Sequence, residues 1–245
     1  MNYYCLTDIG LRREKNQDSY GAIKNKKGDL LAIVCDGIGG GKAGDVASGE
    51  TVKFFMNSFE NNEGFNDIAE AEKYLTKLVD DCNDEIYKLS VKYKEYTGMG
   101  TTLSGVLITN VGTLSINIGD SRVYGYVDTK ECRLTVDHTL VNDMIANGEI
   151  TYEQSLTHPK RHYLVRALGV WETVEPDIHK VKEMDDYLIC SDGLYNYIDP
   201  NELKNIMVDV SLSCEQKANN LLKKALLNGG FDNITIIVID NKWVS

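Results

Sequence analysis

The order of apolar and polar positions divides the chain into elements. Leu30 to Cys35 is a continuous apolar run, which reads as a buried strand. A glycine-rich turn, Gly37 to Gly44, follows it, and then a helix from about Val46 to Phe59. Ile68, Ala71, Leu75, Leu78, Cys82, Ile86, Leu89 and Tyr93 recur every three or four residues, the apolar stripe of one long helix bounded by Asn66 and Gly98. After Gly100 the pattern changes to short strands: Leu103 to Thr109, Leu114 to Ile118 and Arg122 to Val127. The turns between them, Asn110-Val111-Gly112 and Gly119-Asp120-Ser121, are short enough to predict an antiparallel meander. The segment from about Thr139 to Gly169 is polar and rich in turn formers. Strands near Ile178 to Val181 and Tyr187 to Cys190 and a short helix near Asn201 to Val208 come next. Ser213-x-x-Gln216 is a capping box opening a helix that carries Leu221, Leu222, Ala225 and Leu226 and stops at Gly229-Gly230. Ile234 to Ile239 is the last strand. Helices come in blocks and so do strands, which predicts an α+β fold with helices packed on antiparallel sheets.

Composition narrows the class. The 245 residues are 42% hydrophobic and 26% charged, a globular balance. With only three prolines and no internal repeat or low-complexity tract, a single domain over 1–245 is expected. No apolar run approaches the roughly 18 residues of a membrane span, and Met1 to Cys5 lacks the segments of a signal peptide. Lys and Arg total 26 against 37 Asp and Glu, a net charge of −11. That argues against nucleic-acid binding and against adhesion to an anionic membrane. The six cysteines form no CxxC pair, so buried, reduced thiols in a cytoplasmic protein are expected.

Candidate chemistry lies in the aspartates. Asp36 and Asp192 each end a strand and precede a glycine, Asp232 directly precedes the last strand, Asp18 sits in Asn16-Gln17-Asp18, and Asp120 occupies a hairpin turn. A single Asp-Gly is most often only a turn. Several carboxylates gathered at one sheet edge repel one another by about 1 kcal/mol per pair at 4 Å in water and about 4 kcal/mol at an effective dielectric of 20. A hard divalent cation relieves that cost, and oxygen ligands without a His or Cys pattern point to Mg²⁺ or Mn²⁺ rather than zinc. Arg13, five residues before Asp18, is the anion partner, able to grip a phosphate with two parallel hydrogen bonds; taken alone it could equally form a surface ion pair. Gly39-Gly40-Gly41-Lys42-Ala43-Gly44 matches the dinucleotide-binding pattern GxGxxG. Asp36 would oppose a pyrophosphate there, no βαβ unit follows, and Ala43 breaks the Walker pattern, so the glycines read as a tight turn.

Taken together, the motifs resemble the metal-dependent Ser/Thr protein phosphatases of the PPM (PP2C) type in their compact bacterial form. The pieces run in family order: Thr7-Asp8-Ile9-Gly10-Leu11-Arg12-Arg13-Glu14-Lys15-Asn16-Gln17-Asp18, Val34-Cys35-Asp36-Gly37-Ile38-Gly39-Gly40, Met99-Gly100-Thr101-Thr102, Gly119-Asp120-Ser121-Arg122, Leu164-Val165-Arg166-Ala167-Leu168-Gly169, Cys190-Ser191-Asp192-Gly193-Leu194 and Asp232-Asn233-Ile234-Thr235. The resemblance implies a four-layer αββα sandwich of two antiparallel β-sheets flanked by helices. It implies two Mn²⁺ or Mg²⁺ ions bridged by Asp36 with the Gly37 carbonyl. Asp192 and Asp232 would hold one ion, Asp18 would act through water, and Asp120 with Asp192 would form a third metal site. Arg13 would bind the substrate phosphate, and a segment at about 141–169 would be a flap beside the site. The implied activity is hydrolysis of phosphoserine and phosphothreonine by a metal-activated water, opposing a Ser/Thr kinase. The implied setting is a cytoplasmic, stand-alone, monomeric signalling enzyme. Ile38 stands where many eukaryotic members carry His, and Gly41 where many bacterial ones do, which puts the proton donor to the leaving group in doubt. His138, His158 and His162 read as structural or surface residues.

Overall fold

The computed structural model describes residues 1–38 and 43–241. The glycine run 39–41 and Lys42 lie outside the described residues, and the GxGxxG reading and the Gly41 position lie there with them. Among the described residues eleven strands form two sheets. They are β1 (Asn2–Asp8), β2 (Asp18–Lys24), β3 (Leu30–Ile38), β4 (Gly100–Thr101), β5 (Leu103–Thr109), β6 (Gly112–Ile118), β7 (Arg122–Val127), β8 (Lys130–Arg133), β9 (Asp177–Val181), β10 (Asp186–Cys190) and β11 (Ile234–Asp240). One sheet has the order β1-β11-β10-β7-β8 and the other β2-β3-β5-β6-β9, with β4 beside β3; every pairing is antiparallel. The helices are α1 (Gly44–Glu60), α2 (Ile68–Lys92), α3 (Leu140–Ala146), α4 (Tyr152–Leu156), α5 (Asp192–Tyr195), α6 (Pro200–Val208) and α7 (Cys214–Leu227).

The layers follow from which face each strand residue takes. On β3, Leu31, Ile33 and Cys35 join a core with Phe55 and Phe59 of α1 and Leu75, Val79 and Cys82 of α2. Leu30, Ala32 and Val34 point the other way, into a core with Tyr187 and Ile189 of β10 and Ile237 and Ile239 of β11. A strand covered on both faces needs no polar alternation, which is why the apolar run was continuous. A third core packs Leu188 and Cys190 and the other face of β11, Ile234, Ile236 and Val238, against Leu203 of α6 and Leu221 and Ala225 of α7. Three cores between four layers make the αββα sandwich that the resemblance implied.

Local signals set the helix ends. The Asp67 side chain accepts from the Glu70 N–H to open α2, and Ser213 with Gln216 closes a reciprocal capping box on α7. The long helix stops at Lys92 and is followed by a single 3₁₀ turn at Lys94–Tyr96, short of the expected Gly98. The polar stretch after Thr139 contains α3 and α4, each capped by a threonine side chain.

The meander is corrected. β5 and β6 do form a hairpin, with Leu103 opposite Ile118. β7 instead leaves for the other sheet, where it pairs with β10 and β8. Gly119, at φ +98° and packed on Thr102, turns the chain, and Ser121 fastens the corner by bonding Thr102 Oγ1 (2.8 Å) and accepting from the Ser104 hydroxyl (2.7 Å). Asp120 therefore sits on a bridge between the sheets rather than in a hairpin turn. The cysteine expectation also needs correction: Cys35, Cys82 and Cys190 are buried, Cys5 and Cys214 are half-buried, and Cys132 is exposed; all six are free thiols.

Candidate active site

At one end of the sandwich a cleft of about 770 Å³ is lined by Arg13, Asp36, Gly37, Asp120, Asp192 and Asp232, with Gln17, Ile38, Asn233, Asn196, Tyr197, His162 and Leu164 around them. Residues 219 positions apart in sequence, Arg13 and Asp232, meet there because β1, β10 and β11 are neighbours.

Asp36 does not end its strand, as the apolar run suggested; β3 continues to Ile38. Its main chain is clamped. The Asp36 N–H donates to Thr102 Oγ1 (2.9 Å), and the Asp36 carbonyl accepts from the Thr102 N–H (2.9 Å) and the Thr101 hydroxyl (3.0 Å). The Gly100-Thr101-Thr102 motif thus aims Asp36. The Gly37 N–H donates to the Gln17 carbonyl (3.0 Å), and a Cβ on Gly37 would overlap the Gly44 carbonyl oxygen, so only glycine fits where β3 passes the start of α1.

Asp18 opens β2 directly opposite Asp36 in the register. Like charges directly opposed on neighbouring strands destabilise a sheet. The opposite sheet steadies Asp18: the hydroxyls of Ser191 (2.6 Å) and Thr235 (2.7 Å) both donate to its Oδ2. Asp18 is thus a tie between sheets behind the cleft and does not line it.

Asn233 is a positioning residue that the aspartate pattern did not single out. Its Oδ1 accepts from the Gln17 N–H (2.9 Å), and its Nδ2 donates to the carbonyls of Ile9 (2.9 Å) and Lys15 (3.0 Å). It staples the 9–17 loop, which carries Arg13, to the start of β11. The only advance signal was its place after Asp232. Arg13 donates from Nη2 to Asp232 Oδ2 at 2.7 Å, and that bond holds its pKa above the ordinary value. The surface-ion-pair alternative for Arg13 is therefore what this structure shows, but inside the cleft, with half of the side chain still exposed to a ligand. Arg122 is spoken for: it bonds Asp137 through Nε and Nη2 and stacks on Tyr195.

The electrostatics of the cleft are dominated by carboxylates held close together. Burial first, and then Asp18, Asp192, Asp120 and Asp232, push the Asp36 carboxyl well above the usual carboxylate range. Burial, then Asp120 and Asp232, do the same to Asp192. Burial lifts Asp18 to about 6 against its two hydroxyl bonds, and burial with Asp137 lifts Asp120 to about 7. Among the described residues no donor reaches Asp18 Oδ1 or Asp192 Oδ1, although both are buried. Buried acceptors without donors are costly. Divalent cations would answer both deficits, so the donor set suits them. Among the described residues no three His, Cys, Asp or Glu side chains enclose an ion by themselves. The carboxylates ring the cleft instead, an arrangement suited to small hard ions that keep several waters.

Of the three histidines read as structural or surface, His138 fits: it is buried, accepts from the Gly119 N–H (3.2 Å) and bonds Asp177 (3.0 Å). The His158 ring accepts from the Lys160 N–H. His162 differs. It lines the cleft, where burial and then Arg161 lower its pKa. Nothing in its sequence setting marked it; the fold of the 141–169 segment, pinned by the Thr139–Leu164 bridge, brings it there.

Known proteins match this arrangement. The protein phosphatase 2C family matches over residues 12–227. A putative protein phosphatase 2C-type of Streptococcus pyogenes is 36% identical over 244 residues, covering 99% of this chain and 98% of its own. A serine/threonine phosphatase stp of Listeria monocytogenes is 36% identical over 236 residues, covering 96% of this chain and 93% of its own. The serine/threonine phosphatase PstP/Ppp of Mycobacterium tuberculosis superposes with a TM-score of 0.86 at 30% identity over 99% of each chain, and a bacterial serine phosphatase with 0.92 at 33% over 100% of this chain and 99% of that one. No helix among the described residues is long and apolar enough to cross a membrane.

Proposed function

Since this chain belongs to the protein phosphatase 2C family and is a metal-dependent serine/threonine protein phosphatase acting on phosphoproteins, we propose that residues 1–245 form one catalytic domain whose cleft holds two Mn²⁺ or Mg²⁺ ions. Asp36 and the Gly37 carbonyl would hold both ions, Asp192 and Asp232 would hold one of them, and Asp18 would act through water. Asp120 with Asp192 serves a third. The observation that carries this reading is the ring of mutually repelling carboxylates with Asp192 Oδ1 buried and unpartnered.

When bound, the ions neutralise phosphoryl charge and bring a water toward neutral acidity for in-line attack. The chain's own residues do the rest. Arg13 swings between Asp232 and the substrate phosphate, offering its planar fork of donors. Thr101 and Thr102 hold Asp36, Ser191 and Thr235 hold Asp18, and Asn233 holds the Arg13 loop, so only the Arg13 side chain has to move to meet the phosphoryl oxygens. Ile38 has no proton to give the leaving oxygen. The buried thiols Cys35, Cys82 and Cys190 take no part; burial keeps each far above its ordinary pKa. The segment 141–169, which contributes His162 and Leu164 to the cleft wall, is a flap tuning substrate access. A monomer acting in the cytoplasm against a Ser/Thr kinase completes the proposal.

The deciding experiment is hydrolysis of a phosphothreonine peptide with Mn²⁺ or Mg²⁺, in chelator, and with Asp36→Asn or Asp192→Asn. Loss of turnover in chelator and in both variants is expected. Turnover that survives both would overturn the metal reading.

A further inference from the structure

An apolar surface near the cleft is only partly taken up by the core and has no part in the catalytic site. Leu11 is 63% exposed, Leu227 71% and Phe231 47%. Scattered exposed apolar residues are ordinary, but contiguous ones mark contacts. These are contiguous. Leu11, Leu222, Leu226 and Leu227 line one groove along α7 together with Asn219 and Lys223. The groove is held in shape by its backbone: the Leu11 N–H donates to the Gly230 carbonyl at 2.7 Å. Gly230, at φ +50°, brings Leu11 and Leu226 together over itself. Phe231 continues the surface, with the Arg12 guanidinium 5.3 Å above its ring and the Tyr197 ring 5.7 Å away. Tyr197 in turn lines the cleft. The groove thus reaches the cleft in steps: from Leu11 across the Gly230 backbone to Phe231, and from Phe231 to Tyr197.

The two chain segments that build this surface also carry the site. Leu11 lies two residues before Arg13, a span of at most about 7 Å, and Phe231 is next to Asp232. A polypeptide whose phosphorylated residue reaches Arg13 and leaves the cleft past Tyr197 and Phe231 meets this groove next. We propose that the Leu11–Leu227 groove, reached past Phe231, is a substrate subsite that receives a large aliphatic or aromatic side chain two to four residues from the phosphorylated Ser or Thr. That spacing corresponds to about 7–14 Å of extended peptide. The inference rests on the phosphatase reading above, with Arg13 as the phosphate grip.

The test uses the full chain with Mn²⁺ and phosphothreonine peptides that differ only in one Leu, moved through the four positions on either side against a Ser background. The wild type should prefer Leu at one register by about tenfold in kcat/KM, the scale of burying much of one Leu side chain. Leu11→Gln and Leu227→Gln should each cut that preference at least threefold. Each variant's own rate on 4-nitrophenyl phosphate, too short to reach the groove, is its reference, and thermal melts check folding. A flat Leu scan in the wild type, or an unchanged preference in both folded variants, overturns the subsite. A wild-type dimer that Leu227→Gln converts to monomer assigns the groove to a second copy of the chain and also overturns it. No hydrolysis of any peptide or of the aryl phosphate by the wild type instead sinks the phosphatase reading, and the subsite with it.

Discussion

Replacing Asp18 by Asn removes a buried negative charge while keeping the side chain's shape. The amide oxygen can still accept from Ser191 and Thr235, and the amide nitrogen takes the place of the unpartnered Oδ1. Burial raises this carboxyl from 3.8 to about 6 in the folded chain. A raised folded-state value means that the folded form holds more protons between about pH 4 and 6. Its contribution to stability is therefore full below about pH 4 and is lost as pH rises through about 6. At 1.36 kcal/mol per pH unit, the ionised carboxylate costs the metal-free fold about 3 kcal/mol at pH 8 and about 1 kcal/mol at pH 4.5. Asn avoids that cost at every pH. For a chain of this length about 1 kcal/mol moves Tm by about 2–4 °C. The variant should thus melt roughly 6–12 °C above the wild type in EDTA at pH 8, and only about 2–4 °C above it at pH 4.5. Adding Mn²⁺ should raise Tm for the wild type by more than for the variant, because only the native carboxylate set is relieved by the ion. Differential scanning calorimetry in EDTA and in Mn²⁺ at both pH values measures all four quantities. An Asn variant that melts below the wild type in EDTA at pH 8, or that gains equally at both pH values, would refute the reasoning, because the benefit would then not be electrostatic.

Arg13→Ala should lower kcat/KM on phosphopeptides by about 10²–10³, the usual cost of one positioned donor, and Arg13→Lys should restore only part, since an ammonium lacks the planar fork; steady-state kinetics decide both. Gly193→Ala would place a methyl on the Asn233 carbonyl oxygen, so a Tm drop of several degrees together with weaker Mn²⁺ binding is expected by calorimetry, and an unchanged melt would show that the backbone there can give way. Asp137→Asn leaves Arg122 and Arg133 without their shared carboxylate and should cost about 1–3 kcal/mol in urea unfolding, because Asp137 is buried but both arginines reach solvent.

Much of the fold was written in the periodicity. The α2 stripe, the α7 capping box and the β3 run needed only local rules, because each reports which faces of its own element are covered. The meander failed for an equally physical reason. A short turn after β6 looks the same whether the next strand stays or crosses, and the choice is made by the packing of Gly119 on Thr102 and the hydroxyl bonds of Ser121. The site divides along the same line. The motifs named Asp18, Asp36, Asp120, Asp192, Asp232 and Arg13, each next to a turn or a strand end. Nothing local marked His162, Tyr197 or the many bonds of Asn233, since their neighbours come from segments far away along the chain.

By itself, then, the sequence determined the element types, the acid-rich strand ends and the family, because these depend on residue identity and short-range order. Only the tertiary structure decided that Asp18 faces Asp36 across a strand pair, that Arg13 closes on Asp232, and that Leu11, Phe231 and Leu227 share one surface. Those facts depend on distances between remote segments, and such distances exist only once the two sheets have packed and the loops between them have closed.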